Sequence, residues 1–321
     1  SHRAMFTAIA HPNIALVKYW GKRDPALNLP STPSLSVTLD RFKTRTSVVW
    51  GVPEDRFEVD GLPAEGEAAR RIATFLDLVA PDRPPCQVVS QNNFPRAAGL
   101  ASSASAFAAL ALAATRAAQI HRTPTELSRL ARQGSGSACR SVWGGWVVWE
   151  AGTCRKGTDS HGIPLAGKHH WDLSVVVAMV HKGEKPTGSR TGMLHTQRTS
   201  PLYDGWVQSA PDDLEAARQA VLDRDLQRLG ETMEHSTLKM HATMLSTAPS
   251  LRYVKARTLE VIEAIEGLRT QGVGAWYTMD AGPNIKVLCQ RSDASTVSAR
   301  LKEVISHVEV LGIGGDARVI E

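Results

Sequence analysis

Cysteine is scarce in this chain. Its four cysteines, Cys86, Cys139, Cys154 and Cys289, lie far apart, with no CxxC pair among 321 residues. That spacing excludes the common zinc arrangements and a disulfide framework, and it predicts reduced thiols in a cytoplasmic protein. Histidine-based metal motifs are also missing. No HExxH occurs, and His235 and His241 are six apart, so no metal ligand is expected from histidine. Charge of one sign never accumulates. Lys and Arg total 37 against 32 Asp and Glu, a net +5, yet no run of five or six basic residues exists. Such a scattered excess permits small anionic partners and argues against a nucleic-acid tail. Long apolar runs are nearly absent. The uncharged stretch 97–115, AAGLASSASAFAALALAAT, holds three serines between Arg96 and Arg116, which predicts a buried helix rather than a membrane span. Ser1–Ala4 read as a cloning remnant ahead of Met5, and the residues after Met5 lack the pattern of a secretory signal.

What is present is ordinary globular material, 42% hydrophobic and 21% charged, enough to bury a full core in two domains or one elaborated α/β domain. Strand patterns are expected at 6–10, 14–18, 35–40, 44–50, 86–91 and 142–150, with helices over 65–79, from about 102, and over 127–133. Residues 155–172 read as a polar connection, and 173–181 (LSVVVAMVH) as a central strand, so a domain boundary is expected at 172–173. Two long helices are expected over 212–245 and 251–271, forming an antiparallel pair separated by Pro249. The end alternates: AWYTMD, NIKVLCQ, a helix over 294–305, VEVLGI and ARVIE. Strands and helices mix without strict βαβ order, which points to α+β rather than a doubly wound sheet. No internal repeat is seen.

Five segments carry chemistry. In PRAAGLASSA (95–104), a strand leads through small residues into a helix; small side chains let backbone N–H groups approach an anion, and a helix start favours negative charge. Neither the Walker GKS/GKT pattern nor GxGxxG is present, and a tightly packed Ala helix with a serine cap accounts for the pattern equally well. KYWGKRD (18–24) sets cations around two large aromatics, either to grip a polyanion or as a snorkelling strand end. GSGSACRS (134–141) offers hydroxyls, free N–H groups and an arginine suited to phosphate or carboxylate, or is a Gly/Ser turn; GSR (188–190) is a weaker case. Asp280 in TMDAGPN is either a base or electrostatic element at a strand end, or a turn-former.

Taken together, HPNIALVKYWGKRD (11–24), LNLPSTPSLSVTLD (27–40), NNFPRAAGLASSASAFAALA (92–111), RQGSGSACRSVWGG (132–145), SRTGM (189–193), MHATMLS (240–246) and MDAGPN (279–284) resemble the mevalonate diphosphate decarboxylase family of the GHMP kinase superfamily, in the family's order and across nearly the whole chain. The resemblance implies a two-lobed α+β fold with a cleft between an ATP-binding lobe (5–172) and a C-terminal lobe (173–321). It implies ATP and Mg²⁺ as cofactors, a phosphorylated small molecule as substrate, and commonly a homodimer. It implies phosphorylation of the 3-hydroxyl of mevalonate 5-diphosphate, then loss of phosphate and CO₂ to give isopentenyl diphosphate.

By matched position, the resemblance implies catalytic roles for Asp280, Lys18 and Arg140, with Asn13 orienting that arginine. Tyr19, Lys22, Ser135, Ser137, Ser189, Arg190 and Met193 fall on the diphosphate-binding positions. Pro95, Ala98, Gly99, Leu100, Ala101, Ser102 and Ser103 fall on the ATP loop, Ser90 on a nucleotide contact, and Ser103 beside the metal. The chain departs from the family at Arg96, often Thr, and at Ala106, often Gly; neither change removes a chemical role. Two relatives of the same fold, a mevalonate monophosphate decarboxylase and a mevalonate 3-kinase, remain open, as does remotely a nucleic-acid-binding module, since the superfamily resembles a ribosomal protein fold.

Overall fold

A computed structural model describes residues 4–94, 100, 102–181, 183 and 187–320. Strands β6 (Thr44–Trp50) and β9 (Cys86–Asn92) alternate buried and exposed side chains and pair antiparallel along their length. With β1 (Met5–Ala10), β7 (Arg56–Val59), β8 (Leu62–Pro63) and β16 (Arg318–Val319) they form a six-stranded sheet ordered β16-β1-β6-β9-β7-β8. One face alone is covered, which the alternation requires. The cover is α1 (Gly66–Val79), α2 (Ser102–Ala117) and α3 (Pro124–Gly134), with Phe75, Leu76, Phe107, Leu110 and Leu130 packed on Val48 and Val88. The small side chains of α2 let it sink into this layer: Ala104, Ala108, Ala109, Ala111, Ala113 and Ala114 have no exposed surface.

A second sheet, β11-β10-β5-β2, contains β2 (Asn13–Val17), β5 (Ser34–Thr38), β10 (Trp146–Trp149) and β11 (Gly162–Ala166), and the short strands β3 (Lys22–Asp24) and β4 (Leu29–Pro30) pair antiparallel by themselves. A third, β13-β14-β12-β15, contains β12 (Leu173–Ala178), β13 (Ala275–Thr278), β14 (Ile285–Gln290) and β15 (Val308–Leu311). Helices α5 (Tyr203–Asp223) and α6 (Leu226–Leu245) lie between these two sheets, where Leu214, Ala217, Val221, Leu229 and Met233 join Ile14, Leu35 and Val37 to Val175 and Val177 in one core. Helices α7 (Ala256–Thr270) and α8 (Ala294–Lys302) cover the far face of the third sheet. The α+β class and the two lobes expected from the sequence are therefore found, and a shared core joins the lobes.

Several boundaries differ from expectation. The helix expected over 212–245 is two helices, because Arg224 takes a left-handed φ of 53° and the Asp225 carboxylate caps α6 by accepting from the Arg228 N–H. The antiparallel pair is thus α5 with α6, not a pair across Pro249; α7 begins only at Ala256, and Pro211 lies inside α5. The strand at 142–150 shrinks to Trp146–Trp149, and the polar connection 155–172 contains β11. The chain end also returns to the first lobe. β16 pairs with β1, and Gly144 faces Gly315 so closely that a Cβ on Gly144 would overlap the Gly315 backbone. No described helix is long and apolar enough to cross a membrane.

Candidate active site

The ends of β2, β13 and α2 open onto a cleft of about 670 Å³ between the lobes. Its described lining holds seven cations, Lys18, Lys22, Arg71, Arg140, Arg190, Arg252 and Lys255, against one carboxylate, Asp280. A low-dielectric recess of one sign concentrates a polyanion. The snorkelling reading of the KYWGKRD segment fails, since Lys18 and Lys22 are buried. Burial lowers both lysines to about 8, because desolvation disfavours the ammonium.

Asp280 sits just past β13 in a turn closed by Gly282 N–H donating to its carbonyl, so the turn-forming reading holds together with the electrostatic one. Lys18 Nζ stands 2.6 Å from Oδ1, and Lys286 Nζ 3.3 Å from Oδ2. Burial alone pushes this carboxyl up. The two ammoniums outweigh that and hold it well below the usual carboxylate range. Helix α6 fixes both partners. Ser236 Oγ accepts from the Lys18 N–H, Thr237 bonds both N–H and C=O of Met279, and His241 Nε2–H donates to the Asp280 carbonyl at 3.0 Å. Burial lowers His241 to about 4, with the Lys18 charge adding to the effect, so the ring is neutral and its Nε2 carries the proton.

Arg140 ends a 3-10 helix, Gly136–Arg140, into which the GSGSACRS segment folds. Its Nε and Nη2 donate to Asn13 Oδ1 at 3.3 and 3.2 Å, and its Nη1 donates to Ser34 Oγ at 2.7 Å. Asn13 is held in turn by donating to Ser141 Oγ. The guanidinium lies 5.7 Å over the Trp149 ring. Gly136 is required at the head of this element. A Cβ there would meet Trp149 at 2.8 Å and Tyr19 Oη at 3.0 Å.

Lys22 Nζ donates to Asn28 Oδ1 at 2.8 Å, and Asn28, at φ 53°, donates to the carbonyls of Arg132 and Gln133. Arg190, in the first turn of α4 (Ser189–Thr199), donates to the Gly134 carbonyl at 3.0 Å, and Arg71 donates to the same carbonyl at 2.9 Å. Ser135, Ser137, Ser189 and Met193 line the same cleft. Two buried donors, Tyr19 Oη and Arg71 Nε, have no hydrogen-bond partner among the described residues. Unpaired donors on a cationic wall suit an oxygen-rich anion.

Leu100, Ser102 and Ser103 also line the cleft, at the start of α2, so the buried Ala helix and a helix start open to the cleft are one element. Ser103 Oγ lies 2.9 Å from Ser135 Oγ. Pro95, Ala98, Gly99 and Ala101, with Arg96, lie outside the described residues. Ser90 is set apart from this group. It is buried on β9, its hydroxyl bonds Thr46 Oγ1 at 3.0 Å, and it is not among the described lining residues. Asn13 likewise acts from behind Arg140 rather than on the cleft wall.

Sequence reasoning missed Arg71, Lys286 and His241. A lysine inside the apolar run IKVLC was the available signal for Lys286, since a charge in a buried strand needs a partner. His241 stood within MHATMLS without an assigned role. Nothing in α1 singles out Arg71 from Arg70, which faces outward onto Glu67.

Two family models divide the chain. A "Diphosphomevalonate decarboxylase-like N-terminal domain" matches residues 10–162, and a "Mevalonate 5-diphosphate decarboxylase C-terminal domain" matches 175–312. Diphosphomevalonate decarboxylase of Candida albicans is 38% identical, over 92% of this chain and 87% of its own length. The crystal structure of mevalonate diphosphate decarboxylase from Staphylococcus aureus superposes with a TM-score of 0.94 at 37% identity, covering 99% of this chain and 98% of that one. A structure of MDDEF in complex with MVAPP, AMPPCP and magnesium gives 0.92 at 38% identity, covering 99% and 100%. Matches of this extent over both lobes place the chain in the diphosphomevalonate decarboxylase family.

Proposed function

We propose that this chain decarboxylates mevalonate 5-diphosphate at the expense of ATP, with Asp280, Lys18 and Arg140 as its reacting machinery. The observation that carries the assignment of residues is Asp280, the one carboxylate among the described lining residues, held by Lys18 in a cleft with seven described cations. A solved relative holds MVAPP, AMPPCP and magnesium together. Three chemical events are needed. The 3-hydroxyl oxygen bonds to the γ-phosphorus as the bond to ADP breaks, and the hydroxyl proton passes to a phosphoryl oxygen and from there to solvent. The C3–O bond then breaks and phosphate leaves. The C1–C2 electron pair becomes the new double bond as CO₂ departs.

A carboxylate held so far below its usual range is a weak base, so Asp280 is assigned to orient the 3-hydroxyl and to stabilise positive charge growing at C3. Lys18 keeps that carboxylate in place. Arg140, anchored by Asn13 and Ser34, holds the substrate carboxylate in line for release. Tyr19, Lys22, Ser135, Ser137, Ser189, Arg190 and Met193 receive the diphosphate, and Arg71 joins them as a further cation of the cleft lining. Ser102 and Ser103 receive ATP phosphates at the α2 start, with the loop residues Pro95, Ala98, Gly99, Leu100 and Ala101. Ser90 supports the adjoining strand.

Magnesium, when bound, offsets phosphate charge and aligns the γ-phosphate. Among the described residues no three His, Cys, Asp or Glu side chains gather. The Ser103 hydroxyl therefore fits as a minor protein ligand beside phosphate oxygens, an arrangement usual for magnesium.

The deciding experiment incubates the protein with ATP, Mg²⁺ and, separately, mevalonate, its 5-phosphate and its 5-diphosphate, following ADP, phosphate and CO₂. The expected result is all three products with the diphosphate alone. ADP without CO₂ would sink the decarboxylase reading, and equal turnover of the monophosphate would move the substrate. A pH prediction accompanies it. Lys18 and Lys22 are charged below about pH 8 and lose that charge above it. The kcat/KM for the diphosphate is thus expected to fall above pH 8, by roughly tenfold per pH unit for each lysine required in its charged form. A Lys22→Met variant should bind the diphosphate more weakly and show a shallower fall.

The two lobes are proposed to divide near residues 172–173, with the closing segment from 312 returning to the first. A homodimer in the cytoplasm is proposed on the family resemblance, and sedimentation velocity tests the dimer. The four cysteines are free, three of them buried, which suits a reducing compartment.

A further inference from the structure

Each carboxylate oxygen of Asp280 has its own ammonium. Lys18 takes Oδ1, and Lys286 takes Oδ2. The side chains of both lysines are 1% exposed, but they differ in placement. Lys18 is on the cleft wall. Lys286 is not among the described lining residues, so it bears on the cleft from behind, through Asp280 and its neighbour Lys18.

Its mount is rigid. Lys286 is the second residue of β14, with Thr278 of β13 opposite on one side and Val177 of β12 on the other. Its neighbours Ile285, Val287 and Leu288 are fully apolar and buried. An ammonium in such a strand is costly unless a carboxylate offsets it, and an apolar side chain would be the cheaper occupant. A carboxylate gripped at one oxygen only can swing about that contact. Gripped at both, its plane is set.

We propose that Lys286 is a positioning residue for the decarboxylation: it holds Oδ2 of Asp280, so that the carboxylate keeps one orientation toward the reacting centre while Lys18 stays on Oδ1. The inference deepens the function proposed above and rests on it. The charged and titratable groups facing this pair are Arg140 from the 3-10 helix, Lys286 from β14 and His241 from α6, the last reaching the Asp280 carbonyl. Lys286 and Arg140 repel the Lys18 proton, and Asp280 retains it. Removing the Lys286 charge therefore leaves Lys18 more strongly protonated.

The test is Lys286→Met, which keeps length and removes charge, assayed with ATP, Mg²⁺ and mevalonate 5-diphosphate from pH 6 to 10. The expected result is a fall in kcat of roughly tenfold or more, with KM for ATP within about threefold of wild type. The basic limb of the kcat profile should also move to higher pH, which a purely structural loss would not produce. A folded variant with kcat within threefold of wild type and an unmoved limb would overturn the proposal. Folding is checked by thermal melting. Should the Met variant not fold, Lys286→Gln is read by the same two criteria; should neither fold, the lysine serves stability and the proposal falls. Wild-type protein that releases no CO₂ would instead refute the function, so the two failures are distinguishable.

Discussion

Asp280→Asn is expected to lower kcat by roughly 10³-fold or more while ATP binding, followed by calorimetric titration, changes little. Asparagine matches aspartate in shape, so the turn closed by Gly282 and the His241 contact to the backbone carbonyl remain. The charge goes, and one of the two oxygens that accept from the lysines becomes an NH2 donor. Lys18 and Lys286 then share a buried site with no carboxylate to offset them, and the pair is driven to shed a proton. The substrate loses its orienting acceptor and, among the described lining residues, the one carboxylate able to stabilise cationic character at C3. Ser102 and Ser103 at the start of α2 approach the cleft from a different element than Asp280, which is why nucleotide binding should survive. Turnover within tenfold of wild type would refute the assignment, and a lost thermal transition would show that the variant reports on folding instead.

How much of this could be read from the sequence depended on whether a feature is local. The KYWGKRD, GSGSACRS and MDAGPN segments each carry their polar groups within a few residues, so Lys18, Arg140 and Asp280 could be singled out before their meeting was visible. Helix α2 was readable for the same reason, a long run of small apolar residues. Features set by a distant partner were not. Arg71 takes its place only because α1 packs where its guanidinium can reach the Gly134 carbonyl, whereas Lys286, six residues from Asp280, carried a local signal in its apolar strand. The break between α5 and α6 was hidden because apolar spacing continues through Leu222, Leu226 and Leu229, while the cap is a single Asp225 carboxylate. Ser90 shows the converse. Its position beside the ATP loop in sequence is real, yet strand alternation turns its side chain to Thr46.

Arg140→Gln is expected to separate the two halves of the reaction. The guanidinium is buried, donates three hydrogen bonds to Asn13 and Ser34, and is backed by Trp149, so it is already aimed before substrate arrives. A pre-aimed bidentate donor gives most where geometry decides the rate, and release of CO₂ requires the C1–C2 bond to align with the breaking C3–O bond. Glutamine keeps a donor but loses the charge and the fork. CO₂ formation should therefore fall by roughly 10²-fold, comparable to removing one oxyanion donor elsewhere. ADP formation should fall less, because phosphorylation depends on Asp280 and on the phosphate-binding wall. The ratio of CO₂ to ADP, unity in the wild type, should drop below one early in the time course. An Asn13→Ala variant leaves the arginine charged but unanchored, and should lower the ratio in the same direction by a smaller amount. A ratio that stays at unity in both variants would remove Arg140 from the decarboxylation step and leave it as one more cation of the cleft wall.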